Sequence, residues 1–172
     1  MSDAATKPVV VLAGATGDLG ARIASALVAR GAEARALVRR GVSAEKQAAL
    51  RATGALPVEV DFEDVGALTE ACRGAVCVVS AVNGLRPVII DMQARLLDAA
   101  VAAGVPRFIP SDFSLDFTRT RPGDNRNLDL RRDFLARLDA APIRATSILN
   151  GGFADMLAGQ APFVLHKRRK VL

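Results

Sequence analysis

The sequence predicts one α/β domain built on a doubly wound parallel β-sheet. Short apolar runs alternate with segments of helical period, which is the pattern of βαβ units whose helices cover both faces of a sheet. A glycine-rich turn joins the first apolar run to the first helical segment and fits the same architecture. With 172 residues, of which 51% are hydrophobic and 24% charged, the chain can bury one core but is too short for two full lobes.

The first strand is predicted at residues 8–13, where both faces of the pleat are apolar, as in a buried parallel strand. The helix after the glycine turn should present Arg22 and Arg30 to solvent and end at Gly31. Its predicted inward stripe consists of Leu19, Ile23, Ala26 and Leu27.

The middle of the chain continues the alternation. Ser43 is the predicted N-cap of the second helix, Pro57 precedes the third strand, and Gly104 ends the fourth helix. The third helix should turn Val65, Leu68 and Cys72 inward. In chain order these elements are a strand at 33–38, a helix at 43–53, a strand at 58–60, a helix at 64–72, a strand at 75–82, a helix at 88–103 and a strand at 107–109.

Residues 110–127 have no regular period and are rich in Ser, Asp, Arg and Pro. A loop of this length inside a compact domain is usually functional. Leu130, Phe134 and Leu138 mark another helix after it, and residues 143–149 predict a sixth strand.

The turn after the first strand reads Gly-Ala-Thr-Gly-Asp-Leu-Gly over residues 14–20, and its place between a buried strand and an amphipathic helix is what a dinucleotide-binding turn requires. Gly14 permits the tight turn, Gly17 lets backbone N–H groups approach a pyrophosphate, and Gly20 allows close packing of helix and strand. The helix N-terminus adds donors and partial positive charge, so we expect Asp18 to cap the helix or to face solvent. The predicted cofactor-binding residues of this turn are Gly14, Thr16, Gly17, Asp18, Leu19 and Gly20. The sequence thus predicts a Rossmann-type NAD(P)-binding domain over residues 1–172.

Arg39 and Arg40 stand at the end of the second strand, where a carboxylate selects NAD and an arginine suits the 2′-phosphate of NADP. No acidic residue follows Val38 until Glu45, and Lys46 adds a cation nearby. The charges at this strand end therefore favour NADP(H) as the cofactor.

The amino-acid composition also disfavours several kinds of catalytic and metal site. Tyr and Trp are absent and His166 is the only histidine, so a tyrosine acid or a Ser-His-Asp triad is disfavoured. Cys72 and Cys77 are too few for a disulfide scaffold or a thiolate zinc site. We therefore expect reduced, structural thiols and no metal centre.

The distribution of charge argues against a nucleic-acid partner. Most of the net charge of +5 lies in one basic cluster, residues 167–170, and the rest of the chain is nearly neutral. Such a cluster without interleaved aromatic residues is more often solvated surface than a nucleic-acid contact. The first seven residues lack the apolar region of a signal peptide, and no apolar run reaches membrane-spanning length. We expect a cytoplasmic protein with a small-molecule substrate and no membrane partner, and the sequence leaves a homo-oligomer open.

Five short motifs along the chain carry a family resemblance. They are Gly-Ala-Thr-Gly-Asp-Leu-Gly at 14–20, Leu-Val-Arg at 37–39, Val-Asp-Phe at 60–62, Val-Val-Ser-Ala-Val at 78–82 and Arg-Phe-Ile-Pro-Ser-Asp-Phe at 107–113. Together they resemble the NmrA-like, isoflavone-reductase-like branch of the atypical short-chain dehydrogenases. The first motif is shared by many dehydrogenase relatives, whereas Pro-Ser-Asp-Phe is much more specific. The resemblance covers essentially the whole chain.

This resemblance implies roles for individual residues. It makes Arg39 and Lys46 the ligands of the 2′-phosphate, with Asp61 and Phe62 beside the adenine. It implies a nicotinamide wall formed by Ser80, Ala81, Pro110 and Ser111. It also implies that the substrate side includes Phe113, Asn150 and Phe153.

One departure from the family pattern concerns catalysis. The family's reductases place a lysine on the helix after the Pro-Ser-acid-Phe loop, whereas no lysine lies between Lys46 and Lys167 in this sequence. Arg131 and Arg132 are the candidate catalytic residues on this helix, where either could hold a ribose hydroxyl or polarise a carbonyl. An arginine is a poor proton donor because it stays charged, and a solvated helix face is the alternative for both.

A second departure concerns length. In the family a smaller substrate lobe follows the sixth strand, whereas this sequence ends at Leu172, just after residues 163–165 begin what resembles the first hairpin of that lobe. We therefore expect residues 150–172 to be the start of a substrate lobe that is apparently truncated here.

Two functions from different classes follow. The leading hypothesis is an NADPH-dependent oxidoreductase that passes hydride to a small aromatic or quinone-like acceptor. A quinone suits the absence of a Tyr or Lys acid, because its reduced oxygens can take protons from water. The alternative is a non-catalytic NADP-sensing regulatory protein. The missing lysine and the basic tail support this alternative.

Overall fold

A six-stranded parallel sheet forms the centre of the computed structural model, which describes residues 6–112, 115–151, 164–165 and 170–171. Its strands are β1 (Val9–Ala13), β2 (Glu33–Arg39), β3 (Leu56–Val60), β4 (Ala75–Ser80), β5 (Arg107–Ile109) and β6 (Arg144–Ala145). Their order across the sheet is β3-β2-β1-β4-β5-β6, and neighbouring strands are parallel throughout. The order reverses between β1 and β4, which confirms the predicted doubly wound Rossmann-type sheet.

The helices lie on both faces of this sheet. In the described part of the chain they are α1 (Asp18–Ala29), α2 (Ala44–Ala52), α3 (Val65–Cys72), α4 (Gln93–Ala102) and α5 (Arg126–Asp139). A π-helical turn, Pro87–Met92, leads directly into α4, and a 3₁₀ turn, Phe117–Arg119, interrupts the long loop before α5. Ser43 caps α2 as predicted, because its side chain accepts a hydrogen bond from the Lys46 N–H.

Two apolar clusters hold the layers together. One joins α3, α4 and α5 to the sheet, and its centre is Phe108, whose ring lies 6.3 Å from that of Phe134 in a tilted arrangement. The other joins α1 and α2 to the opposite face through Leu12, Ala24 and Leu50. Each face of the sheet is therefore buried, which is why its strands are apolar on both sides.

Cys72, which is buried, and Cys77, which is partly buried, are both free thiols in the structure. Burial raises the pKa of Cys72 to about 11, and the nearby positive charge of Arg35 opposes only part of that effect. Burial also raises the pKa of Cys77. Both thiols therefore stay protonated at neutral pH and are poor nucleophiles.

The inward stripe of α1 agrees with the prediction only in part. Ile23 and Leu27 are partly buried and pack against the core as predicted. Leu19 and Ala26 are exposed, and the buried residues of this helix are Gly20 and Ala24. The helix is rotated because Gly20 lies against the backbone of Gly14 and Ala15, where a Cβ atom on residue 20 would overlap the Gly14 carbonyl. This backbone contact, together with the packing of Ile23 and Leu27, sets the face that α1 buries.

A smaller difference concerns α3. Leu68 and Cys72 are buried as predicted, whereas Val65, in the first turn of the helix, is exposed. Ala71 takes its place in the core.

Several element boundaries also differ from the prediction. β3 begins at Leu56, two residues earlier than predicted, and so includes Pro57, which an edge strand tolerates. β4 ends at Ser80 and not at residue 82, because its partner strand β1 ends at Ala13. β6 contains two residues and not seven, since β5 offers it only Arg107 and Phe108 as partners. The segment predicted as one α-helix at 88–103 begins instead with the π-helical turn.

The last described residues form a separate antiparallel pair. Strand β7 (Val164–Leu165) pairs with β8 (Lys170–Val171), in agreement with the hairpin predicted to begin at residues 163–165. Among the described residues, no helix combines the length and apolarity needed to cross a membrane.

Because Gly20 touches the Gly14 backbone, we expect its replacement by alanine to destabilise the fold, whereas the same replacement stabilises most helices. In most helices Gly→Ala stabilises by about 1 kcal/mol, but in Gly20→Ala the new methyl group must displace the Gly14 backbone. We expect the free energy of unfolding to fall by roughly 1–3 kcal/mol, the usual cost of overpacking. In the control Gly17→Ala, where the nearest atom would lie 3.4 Å away, the change should stay below about 1 kcal/mol. Urea unfolding measures both, and equal effects would contradict this account.

Candidate functional site

The glycine turn leaves the N-terminus of α1 open. Gly14 has φ +83°, and a Cβ atom there would overlap the Ala81 carbonyl, so only glycine fits. The Gly17 N–H donates to the Gly14 carbonyl at 3.0 Å, and Gly17 is the N-cap of α1 without any side-chain cap. The first N–H groups of α1 are therefore available to an anion, as the sequence predicted for a pyrophosphate site.

Asp18 faces solvent, which agrees with one of its two expected placements. Its side chain is 77% exposed and forms an ion pair with Arg22 at 3.2 Å on the first two turns of α1. It does not line the cavities described below, and neither do the neighbouring Leu19 and Gly20.

A cleft of about 390 Å³, here called the central cleft, opens at the carboxyl ends of β1, β2 and β4. It brings together seven residues that the sequence assigned to the cofactor, namely Gly14, Thr16, Gly17, Arg39, Lys46, Phe62 and Ala81. The remaining lining residues are Leu37, Val38, Val42, Val82, Asn83, Val88 and Met92. The cleft thus lies at the switch point of the sheet, where dinucleotides bind in this fold.

The β2 end of the central cleft is positively charged. In the described part of the chain, no carboxylate forms an ion pair with Arg39, Arg40 or Lys46. By contrast, Arg35, Arg95 and other arginines are engaged with carbonyls or carboxylates. The cations at this end therefore keep their hydrogen-bonding capacity for an anionic ligand.

A second cavity of about 440 Å³ adjoins this end and contains Arg40, Asp61 and Phe62. The Asp61 carboxylate accepts from the Glu63 N–H at 2.9 Å, so it shapes its own loop. Arg95, on α4, holds the same loop because its Nε donates to the Phe62 carbonyl at 2.9 Å and its guanidinium pairs with Glu63. Sequence reasoning missed Arg95, because a helical arginine carries no local sign of a partner 33 residues away.

At the other end, the carboxyl ends of β4 and β5 carry buried polar groups. Ser80 is 4% exposed, and its hydroxyl has no hydrogen-bond partner among the described residues. Pro110 and Ser111 are buried, and the Ser111 hydroxyl donates to the Val82 carbonyl. The structure thus brings Ser111 to the segment that follows β4, as expected if both belong to one wall.

Beside this wall, the buried Arg131 and the partly buried Asp112 influence each other through their charges. Arg131 is 3% exposed, and one of its nitrogens donates to the Asn127 carbonyl at 3.2 Å. Burial raises the pKa of Asp112, while a hydrogen bond from Ser147 and the charge of Arg131 partly offset that rise. Burial lowers the pKa of Arg131, and Asp112 opposes this shift. The solvated helix face considered for Arg131 is therefore wrong.

Arg132 is engaged in holding the loop before α5. Its guanidinium pairs with Asp129 at 2.7 Å and donates to the carbonyls of Phe117 at 2.6 Å and Thr120 at 2.7 Å. All of these partners belong to the loop or to α5 itself. Arg132 therefore holds the loop in place and has little hydrogen-bonding capacity left for a substrate.

The residues expected on the substrate side are described only in part. Asn150 is exposed, beyond the short strand β6. Phe113 and Phe153, like His166, lie outside the described residues. Among the residues that are described, His, Cys, Asp and Glu form no group of three that could hold a metal ion.

Comparisons with known proteins agree with this geometry. Pinoresinol reductase 2 of Arabidopsis thaliana is 35% identical over 161 aligned residues, which cover 87% of this chain and 51% of that reductase. The bifunctional pinoresinol-lariciresinol reductase of Forsythia intermedia is 37% identical over 118 residues, covering 64% of this chain and 38% of that enzyme. The chain spans about half the length of the Arabidopsis relative.

Two solved structures share the fold at significant sequence identity. The structure of AtPrR2 with NADP+ and (+)pinoresinol has a TM-score of 0.78 and 34% identity, and the match covers 90% of this chain and 53% of that one. The NADPH-dependent quinone oxidoreductase QOR2 from Escherichia coli has a TM-score of 0.69 and 27% identity, and the match covers 92% and 53% of the two chains. The profile of the NmrA-like family matches residues 6–127. With this match over most of its length, the chain belongs to the NmrA-like family.

Proposed function

We propose that this chain is the dinucleotide-binding part of an NADPH-dependent reductase that passes hydride to a small aromatic or quinone-like acceptor. The observation that carries the proposal is the central cleft, which joins an open helix N-terminus to two cations without ionic partners in the described chain. Reductases of aromatic compounds among the relatives, and a quinone oxidoreductase among the similar structures, support this choice of acceptor. No similarity favours the regulatory alternative.

The residues of the cleft fit the cofactor. The uncapped N-terminus at Gly17 suits the pyrophosphate, and Arg39 with Lys46 suits the 2′-phosphate. Asp61 and Phe62 would then flank the adenine, while Ala81 and Ser111 lie toward the nicotinamide half. When bound, NADPH supplies the hydride, and the chain's own part is to bind, orient and exclude water.

Protonation of the acceptor needs no lysine in this proposal. A quinone that has accepted a hydride carries the charge on oxygen and takes its proton from water. Arg131, which is buried and interacts electrostatically with Asp112, orients the cofactor or the acceptor, and Arg132 holds the loop before α5. We further propose that residues 150–172 begin the lobe that completes the acceptor site.

Arg39 should decide the choice between the two nicotinamide cofactors. We expect the unmodified chain to bind NADPH more tightly than NADH, because the 2′-phosphate gains charge-assisted hydrogen bonds. Arg39→Ala should remove most of that difference. The control is Arg30→Ala, since the Arg30 guanidinium donates only to the Ala26 carbonyl on the far end of α1. Calorimetry gives the six affinities, for two cofactors and three proteins, and equal binding of NADPH and NADH by the unmodified chain would contradict NADPH selectivity.

Gly17→Val should separate binding from folding. A branched side chain at this exposed turn position would occupy the space through which a pyrophosphate reaches the N–H groups of α1, whereas the fold has room for a Cβ atom. We expect loss of NADPH binding with nearly unchanged urea unfolding. A variant that folds and binds normally would show that phosphate binds elsewhere.

Catalysis without a protein acid gives a characteristic pH profile. We expect NADPH oxidation by a quinone to persist in Arg131→Gln with weaker binding, and its rate to show no ionisation between about pH 6 and about pH 8. In the same variant the pKa of Asp112 should rise further, because the opposing charge of Arg131 is gone. NMR titration follows that carboxyl. If the rate instead shows an ionisation in this window, and if the pKa of that ionisation is higher in Arg131→Gln, then Asp112 is the proton donor.

A further inference from the structure

Gln93 occupies a distinctive position at the junction between the π-helical turn and α4. It is 1% exposed, so every polar atom of its side chain needs a partner within the protein. Its backbone N–H is directed at the carbonyls of Ile90 and Val88, and its side-chain Nε2 donates to the carbonyl of Ile89 at 3.0 Å. In a regular α-helix the residue-93 N–H would donate to the Ile89 carbonyl. In this turn it is directed elsewhere, and the side chain of Gln93 donates to that carbonyl instead. Such π-helical turns are frequent at functional sites.

The other side-chain atom of Gln93 reaches a different strand. Its Oε1 accepts from the Ser111 N–H at 2.8 Å, directly after β5 and Pro110. The hydroxyl of Ser111 in turn donates to the Val82 carbonyl, in the segment after β4. One continuous chain of hydrogen bonds therefore joins the π-helical turn to the carboxyl ends of two neighbouring strands. We call Gln93, Ser111 and the Val82 carbonyl the polar bridge.

The polar bridge lies behind one wall of the central cleft. Val82, which accepts the Ser111 hydrogen bond, lines the cleft on the β4 side. Val88 and Met92 of the π-helical turn line both the cleft and the adjoining cavity at the β2 end. The cations Arg39 and Lys46 occupy the opposite end, at β2. A dinucleotide that spans the switch point with its 2′-phosphate at β2 must place its other half toward β4 and β5. The wall that the bridge supports is therefore the wall of the nicotinamide half.

We infer that Gln93 is a positioning residue for the nicotinamide half of the cofactor, acting through Ser111 and Val82; this rests on the proposed cofactor function. A buried amide with two fixed hydrogen bonds holds the strand ends in one geometry, because any shift would leave a polar group unsatisfied. Hydride transfer depends on placing the nicotinamide within a narrow range of positions. Gln93 itself touches neither cofactor nor acceptor in this account.

The test compares two methionine variants of α4. Gln93→Met keeps the length of the side chain and loses both hydrogen bonds. Arg95→Met, two residues along the same helix, loses the bonds to Phe62 and Glu63 at the adenine end. Calorimetry measures the affinity of each variant for NADPH and for 2′,5′-ADP, which represents only the adenosine half.

We expect the two variants to affect the two ligands differently. Gln93→Met should weaken NADPH binding about tenfold, the loss that corresponds to one hydrogen bond, and leave 2′,5′-ADP binding unchanged. Arg95→Met should weaken both ligands. The fluorescence of bound NADPH, which reports the surroundings of the nicotinamide, should change in Gln93→Met and not in Arg95→Met.

Ser111→Ala provides a second variant, which also covers the case in which Gln93→Met does not fold. It removes the hydroxyl bond to Val82 but keeps the backbone bond to Gln93, and it should reproduce the selective loss of NADPH affinity. The double variant should be no weaker in NADPH binding than Gln93→Met alone, because both changes interrupt one network.

The outcomes separate the inference from the function on which it rests. Suppose that the unmodified chain binds 2′,5′-ADP and NADPH. If the Gln93 and Ser111 variants then leave both affinities unchanged, or lower both equally, only the positioning role is overturned. An unmodified chain that binds neither ligand would overturn the cofactor proposal and this inference with it.

Discussion

The close approach of three backbone segments is the constraint on which the rest of the structure depends. The turn at Gly14 lies against the Ala81 carbonyl on one side and against Gly20 of α1 on the other, with no space for a Cβ atom at either glycine. This contact fixes the rotation of α1, which exposes Leu19 and buries Ala24. It also places the open N-terminus of α1 next to the segment after β4. The central cleft therefore exists because two residues lack side chains.

Arginine serves two distinct purposes in this chain. Arg35 donates to the carbonyls of Ala71 and Arg73 at the end of α3, and Arg95 and Arg132 fix loops in the same way. These guanidinium groups are already satisfied, so they stabilise the fold more than they can recognise a ligand. Arg39 differs because it stands at a strand end without a carboxylate partner in the described chain. In a protein so rich in arginine, the absence of an internal partner is a better guide to a binding site than charge alone.

Patterns local in sequence predicted most of the fold and part of the site. The glycine turn, the apolar strands and the cationic end of β2 are visible because each depends on residues within a few positions of one another. The polar bridge, the Arg95 contact and the loop contacts of Arg132 depend on partners 18, 33 and 15 residues away. No period or spacing reports such pairs. The length of β6 was overestimated for the same reason, since a strand ends where its neighbour ends.

The distribution of the lining residues along the chain has an evolutionary consequence. Within the described chain, all the residues that line the central cleft and the adjoining cavity come from the segment between Gly14 and Met92. The loop before α5 and the segment after β6 contribute no lining residue to either cavity within the described chain. The loop before α5 and the segment after β6 could therefore change while the dinucleotide geometry stays the same, provided that α5 keeps its core contacts through Phe134 and Leu138. A fold arranged in this way could take new acceptors through changes in these two segments alone.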